Sequence, residues 1–315
     1  MKKDIQGKVD DSKGIFFNIQ KIEVICFKTG IGFVLIKTNV EEETSFANIL
    51  NFNYKFRDIN QEGNMLNSYD NIRLQTGDFA DVKTFRDLLK SITDSNADAM
   101  ELDINVERFL TFSYLCVDQE AWNSANEFDK IKHHFVKYAN ILPADKDVNS
   151  EAIEAKKMVT LSKWKYAKLA LTKQSVALLS SSAEMNNYTI LPAEYENQYL
   201  YTYILNLYKK IYLKKLQAEF KNPRKVNSAR KQFANFTKKL WVQEVTEDDT
   251  GTELDLKMRD VLELEKLYAE VKSKYDVLYK DMNVEKNRKL IIFIAIMLGA
   301  SLALNIINFI VLMKK

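Results

Sequence analysis

Leu290–Met313, LIIFIAIMLGASLALNIINFIVLM, runs for 24 residues without a charged side chain. About 20 apolar residues in a helix cross a bilayer core of roughly 30 Å. Lys286, Arg288 and Lys289 precede the stretch, and Lys314 and Lys315 follow it. Residues 1–289 offer no second stretch of this kind. The sequence therefore predicts a folded soluble body carried on one C-terminal transmembrane helix. Cations outnumber those on the far flank on the N-terminal side. The opening MKKDIQGKVDDSKG has no apolar leader stretch. Both features put the body in the cytoplasm of a single-pass arrangement.

Just upstream, Val261, Leu264, Tyr268, Val271, Tyr275, Leu278 and Met282 recur at spacings of three and four. That is a heptad seam. Neither Gly nor Pro interrupts Thr252–Leu298. The expectation is one coiled-coil stalk from Thr252 into the membrane, a rod of roughly 90 Å at 1.5 Å per residue.

Further upstream the pattern is mixed. Residues 15–38 read as a hairpin turned at Thr29-Gly30, with Ile22, Val24 and Cys26 alternating toward a core. Ser45 opens a helix, and a polar stretch follows to about Thr76. Asp81–Ile92 reads as a short helix, Phe109–Val117 as a buried strand and Trp122–Ile141 as a helix. Trp164–Ser180 reads as a second hairpin turning at Thr172–Gln174, with Ser180-Ser181-Ser182 as a polar turn after it. Pro192 begins a helix reaching about Lys221, with Tyr195, Tyr199, Tyr203, Leu207 and Tyr208 along one side. Asn222-Pro223 breaks it, and a further helix covers about Val226–Val242. The fold class is α+β: an α/β body, then a long-helix bundle, the stalk and the span. The divisions are a flexible N-terminus (1–14), a cytosolic α/β domain (15–185), a helical stalk domain (186–289) and the transmembrane helix (290–313).

Composition is that of a globular chain: 46% hydrophobic and 28% charged residues allow a large core. A net charge of +3 does not by itself imply nucleic-acid binding. The chain has no GxSxG, HExxH, Walker A, CxxC or GxGxxG pattern, and no nucleophile paired with a base, so the reading is not an enzyme. His133 and His134 are adjacent, about 100° apart on a helix, which does not suit a shared metal. Cys26 and Cys116 each sit in an apolar run and read as buried free thiols.

Two features carry candidate sites. Between Lys209 and Lys239 lie eleven cations opposed by Glu219 alone. Lys209, Lys210, Lys214, Lys215, Arg224, Lys225, Arg230 and Lys231 are the candidates for binding an anion such as a nucleotide-type ligand. The other reading of this run is a solvated face paired with Glu247-Asp248-Asp249, Glu253 and Asp255. The span itself has two stripes. Ala295, Gly299 and Ala303 are small residues four apart, suited to close helix packing. Ser301, Asn305 and Asn308 form a polar stripe, and amides in lipid need partners. They either lock an oligomer together or line a pore, and both require self-association.

The order of parts resembles the CorA-type magnesium transporter family: an α/β body, a helical pair and one long helix entering the membrane. The resemblance rests on the hairpin WKYAKLALTKQSVALLS, the helix EYENQYLYTYILNLYKKIYLKKLQ and FTKKLWVQEVTEDDTGTEL before the stalk, over about residues 15–312. It implies a homo-oligomer, a pentamer by analogy, with the long helix lining its axis and Mg2+ or another cation as cargo. Ser301, Asn305 and Asn308 would then line the pore. The chain departs from the family in having one span and no Gly-Met-Asn tripeptide, the family's ion-selecting element; Gly63-Asn64-Met65 is in another order. The expected function is an oligomeric membrane protein that forms or gates an ion-conducting pore under control of its cytosolic domain. The alternative is a tail-anchored signalling or defence effector that binds a phosphate-bearing ligand, with the helix as anchor only.

Overall fold

The computed structural model describes residues 5–9, 15–42, 44–57, 72–75, 88, 109–124, 127–147, 158–241 and 248–313. The chain divides into two compact units. The first is Met1–Lys214 with Trp241–Glu265, and the second is Lys215–Leu240 with Lys266–Lys315. The sequence placed its boundary at 185/186; the division here cuts the helix after Pro192 at Lys214/Lys215, and the helix after Asp248 belongs to the first unit.

The first unit holds two four-stranded sheets. In sheet one, β1 (Ile5–Val9), β2 (Ile15–Cys26), β3 (Gly32–Val40) and β4 (Ile72–Gln75) are antiparallel in the order β3-β2-β1-β4. The N-terminal segment read as flexible thus supplies a central strand, and the segment read as polar supplies an edge strand. Short strands flanked by polar residues give a weak alternation signal, so both escaped the periodicity test. The Thr29-Gly30 turn is as expected, with Gly30 at φ +79°, where a side chain would be strained. Ile15, Phe17 and Ile19 are buried, but an irregularity between Ile19 and Lys21 shifts the register. Beyond it Val24 and Cys26 are exposed, contrary to expectation.

Helix α1 (Phe46–Phe56) is capped by the Ser45 hydroxyl, which accepts from the Asn48 N–H. It lays Phe52 and Phe56 against the Phe17 ring, each 5.3 Å between centroids. Gly7 pairs with Phe17 across β1 and β2, and a Cβ built there would collide with that ring. The helix expected at Asp81–Ile92 lies outside the described residues except for Leu88, which is helical and fully buried.

Sheet two contains β5 (Thr111–Val117), β6 (Val159–Trp164), β7 (Ala167–Leu171) and β8 (Ser175–Ser181) in the order β5-β8-β7-β6. β5 runs parallel to β8 and the other pairs are antiparallel. The expected hairpin is β7–β8, turned at Thr172–Gln174, and β6 extends it by one strand. β8 is buried at every position, whereas β5, expected to be buried, is half-buried because it lies at an edge. Alternation sorts the central strands. Ala170, Ala177 and Leu179 face α2 (Phe128–Ala139) and Leu50 of α1. Leu169, Leu171, Val176 and Leu178 face the tyrosine-rich helix and Leu254, Met258 and Val261. Ser180 and Ser181 are not a turn: both end β8 with no exposure. The Ser181 hydroxyl donates to the Trp122 carbonyl, and Ser180 Oγ donates to the Leu115 carbonyl at 3.3 Å.

After β8 come α3 (Asn186–Thr189), α4 (Leu191–Glu194, Pro192 in its first turn), a π-helical turn (Tyr195–Tyr199) and α5 (Leu200–Glu219). Tyr195, Tyr199, Tyr203, Leu207 and Tyr208 are all buried, as their spacing required. α6 spans Val226–Lys239 and α7 spans Asp249–Val261, with Asp248 Oδ2 accepting the Gly251 N–H at 2.8 Å. The rod expected from Thr252 is interrupted. Leu262 and Glu263 form a turn, Glu263 takes φ +56°, and α8 (Leu264–Met313) starts afresh. Its 50 residues make about 75 Å of helix. No Gly or Pro marks this break, so periodicity alone ran through it.

In the second unit the heptad seam is occupied from within the chain. Phe233 of α6 packs on Tyr268 and Tyr275, at 5.7 and 5.0 Å, and on Phe220 at 6.3 Å. Val271 is fully buried. Gly7→Ala should destabilise the first unit by about 1–3 kcal/mol through overpacking against Phe17. Chemical denaturation of the full chain in detergent measures this, and an unchanged midpoint would mean that Gly7 does not lie across the Phe17 ring.

Candidate functional site

Within α8, Asn287–Leu304 has a mean hydropathy of 1.7 and no part of it is buried, making it one helix long and apolar enough to cross a membrane. Ala295, Gly299, Ser301 and Ala303 lie on it, exposed. A Cβ at Gly299 would meet nothing within 4 Å, so that surface is open to a close neighbour. Asn305 and Asn308 continue the same helix backbone.

The eight anion-binding candidates divide between the units. In the first, Lys209 is fully buried and its pKa is lowered by burial; Asp255 partly opposes that shift. Lys210 and Lys214 are half-buried, and the pKa of Lys210 is likewise lowered by burial, then by Lys214 and Lys173. In the second, Lys215 is half-buried on α5, while Arg224, Lys225 and Lys231 are exposed. Arg230 lies over the Tyr275 and Tyr279 rings at 5.9 and 5.2 Å. Of the acidic residues offered as partners, Glu253 is paired outside the cationic run, Asp255 faces Lys209 from within the first unit, and Glu247 lies outside the described residues. Glu253 pairs with Lys163 at 2.7 Å and with Lys257 at 3.6 Å. Asp255 accepts from Asn206 Nδ2 at 2.7 Å.

Lys209 belongs to a buried polar cluster that the sequence reading did not assemble. Asp255 lies 3.9 Å from Arg259, whose guanidinium also donates to Glu265. Lys209 and Arg259 stand over the Trp241 ring at 5.9 and 5.2 Å. The two buried cations face the buried carboxylate of Asp255 and the exposed one of Glu265. Breaking one partner of such a set costs more than the set contributes. The signal was present in the sequence: Asp255 and Arg259, four apart, sit among the apolar positions Leu254, Met258 and Val261. Arg259 also bridges the α7–α8 turn, since Glu265 is the second residue of α8. Lys173, from the β7–β8 turn, pairs with Glu263 at 3.2 Å.

The tyrosine face divides in its hydrogen bonding. Tyr195 donates toward the Ser113 and Val176 carbonyls at 3.0 Å each. The Tyr203 hydroxyl is buried with no hydrogen-bond partner among the described residues. Burial raises both pKa values, so both stay protonated.

Elsewhere, a cleft of about 530 Å³ is lined by Trp164, Lys165, Glu184, Asn186, Ile190 and Glu194, with Lys165 and Glu184 paired at 3.7 Å. His134 packs on Phe46 at 5.2 Å, and burial lowers its pKa. Among the described residues no His, Cys, Asp and Glu group could hold a metal ion. Both cysteines are free thiols; Cys26 is exposed and Cys116 half-buried. Comparison with protein-family models, curated proteins and solved structures yields no match.

Tyr195→Phe should lower stability by about 1 kcal/mol by leaving buried carbonyls without a donor, whereas Tyr203→Phe should be neutral or stabilising by about the same amount. Denaturation midpoints of the two variants measured side by side check the contrast, and equal losses would contradict it.

Proposed function

We propose that this protein self-associates in a membrane through α8, and that the assembled helices form or gate an ion-conducting path controlled by the first unit. The observation that supports this most is the make-up of α8. It begins at Leu264, fully buried in the first unit's core, and continues without interruption for 50 residues to Met313. Its hydrogen-bonded backbone links that core to an apolar stretch carrying two asparagines. A lone helix in lipid leaves those amides without partners, which is costly. Copies of the helix supply the partners, and a ring of amide side chains can replace part of an ion's hydration shell. The positive flank orients the first unit to the cytoplasm. Mg2+ or another cation is the cargo class that the CorA-like order of parts suggests.

We do not favour an anchored effector that binds a phosphate-bearing ligand through the cationic run. Lys209 is committed to a buried cluster and Arg230 to two tyrosines.

Reconstituted in liposomes, the purified chain should admit cations, read with an entrapped ion-sensitive dye. Asn305→Leu should reduce that flux strongly. Tight vesicles containing well-folded oligomer would overturn the pore reading, and a monomeric mass in detergent would overturn self-association as well.

A further inference from the structure

The seam read from the sequence is used within the chain itself: Leu264 is buried in the first unit's core, and Tyr268 and Tyr275 pack on Phe233 of α6. A second row lies on the far side of α8 from that seam, its first residue, Val277, also bordering a cleft with Phe220 and Lys221. Val277, Val284, Ile291 and Leu298 are seven apart and 56, 67, 65 and 61% exposed. Continued by sevens, the row reaches Asn305 and Leu312. The interleaved row, three residues on, is Lys280, Asn287, Ile294, Ser301 and Asn308. The two rows make one heptad face five repeats long, about 150° round the helix from the seam that α6 covers, at 100° per residue. Past Met282 exposure does not distinguish one side from another; the register does. It puts Ser301, Asn305 and Asn308 on the same face as Val277 and Val284.

We propose that this Val277–Leu312 face is where α8 meets parallel copies of itself, with the polar stripe turned to the shared axis. The inference rests on the self-associating reading above and deepens it by naming the face. A second copy of this chain is the occupant that fits. Inserted in the same direction, it presents Asn305 and Asn308 at the same depth, so each amide finds another amide and not lipid. A polar residue at a seam position also fixes the register of parallel helices. Holding a seven-residue repeat together for five repeats requires the helices to wind into a left-handed supercoil. Ala295, Gly299 and Ala303 lie off this face, which removes the difficulty of two opposed stripes both serving one contact. Ala295 borders the face, about 40° from Ile291, and Gly299 and Ala303 fall progressively farther round.

Single cysteines placed on the full chain in a Cys26→Ser, Cys116→Ser background test this by copper-phenanthroline oxidation in liposomes. Val284→Cys, Ile291→Cys and Leu298→Cys should cross-link between copies, severalfold more than Ile292→Cys and Gly299→Cys on the flanking side. Cross-linking at Gly299 in place of Leu298, or equally at every position, would overturn the proposed face. If that pattern came with intact cation flux, the pore reading would survive without this interface. Seam-specific cross-links in vesicles that stay tight would support the face and sink the pore. Cross-links at none of the positions, with a monomeric mass, would overturn both.

Discussion

The central strands of sheet two have two faces to bury, and most of the first unit follows from that demand. β8 has no exposed residue, and its Ala177 and Leu179 pack with α2. Its Val176 and Leu178 are covered by the tyrosine side of the helix after Pro192 and by α7. Leu262 and Leu264 belong to that same core, so the start of α8 is fixed by sheet burial. At roughly 25 cal/mol per Å² of apolar surface, a core of this kind is the main term opposing the chain entropy of folding.

Asn206, Lys209, Asp255 and Arg259 are all nearly inaccessible, and Arg259 reaches across the turn that separates α7 from α8 to Glu265. Such buried charges are weak contributors to stability but fix geometry, because each partner left alone is costly. Arg259–Glu265 and Lys173–Glu263 both act on this turn. Glu263 holds a left-handed backbone conformation that a non-glycine residue adopts at a cost of about 1–2 kcal/mol. Two ion pairs and burial of Leu262 and Leu264 on either side hold it there.

Much was legible where periodicity is long. The tyrosine face, the β7–β8 turn, the Thr29-Gly30 turn and the apolar length of α8 all follow from spacing and residue type. β1 and β4 were missed because strands of five and four residues carry too few repeats to register. The α7–α8 break was missed because nothing in the residues from Val261 to Leu264 is a helix breaker. The buried cluster was half visible as an Asp255/Arg259 pair on an apolar face, but its partners Asn206 and Trp241 are distant in sequence. The cationic run looked like one surface because neighbours in sequence were read as neighbours in space.

By itself the sequence determined that α8 is long and apolar enough for a membrane, since length and the absence of charge are local properties. It also determined which residues share a helical face, because 3.6 residues per turn is set by the backbone. Only the tertiary structure decided which face of α8 is already used. Packing of Phe233 onto Tyr268 and Tyr275 is a contact between residues more than thirty positions apart, and no local pattern contains it. With that seam occupied within the chain, the other heptad face, running into Ser301, Asn305 and Asn308, is the one the proposed self-association uses.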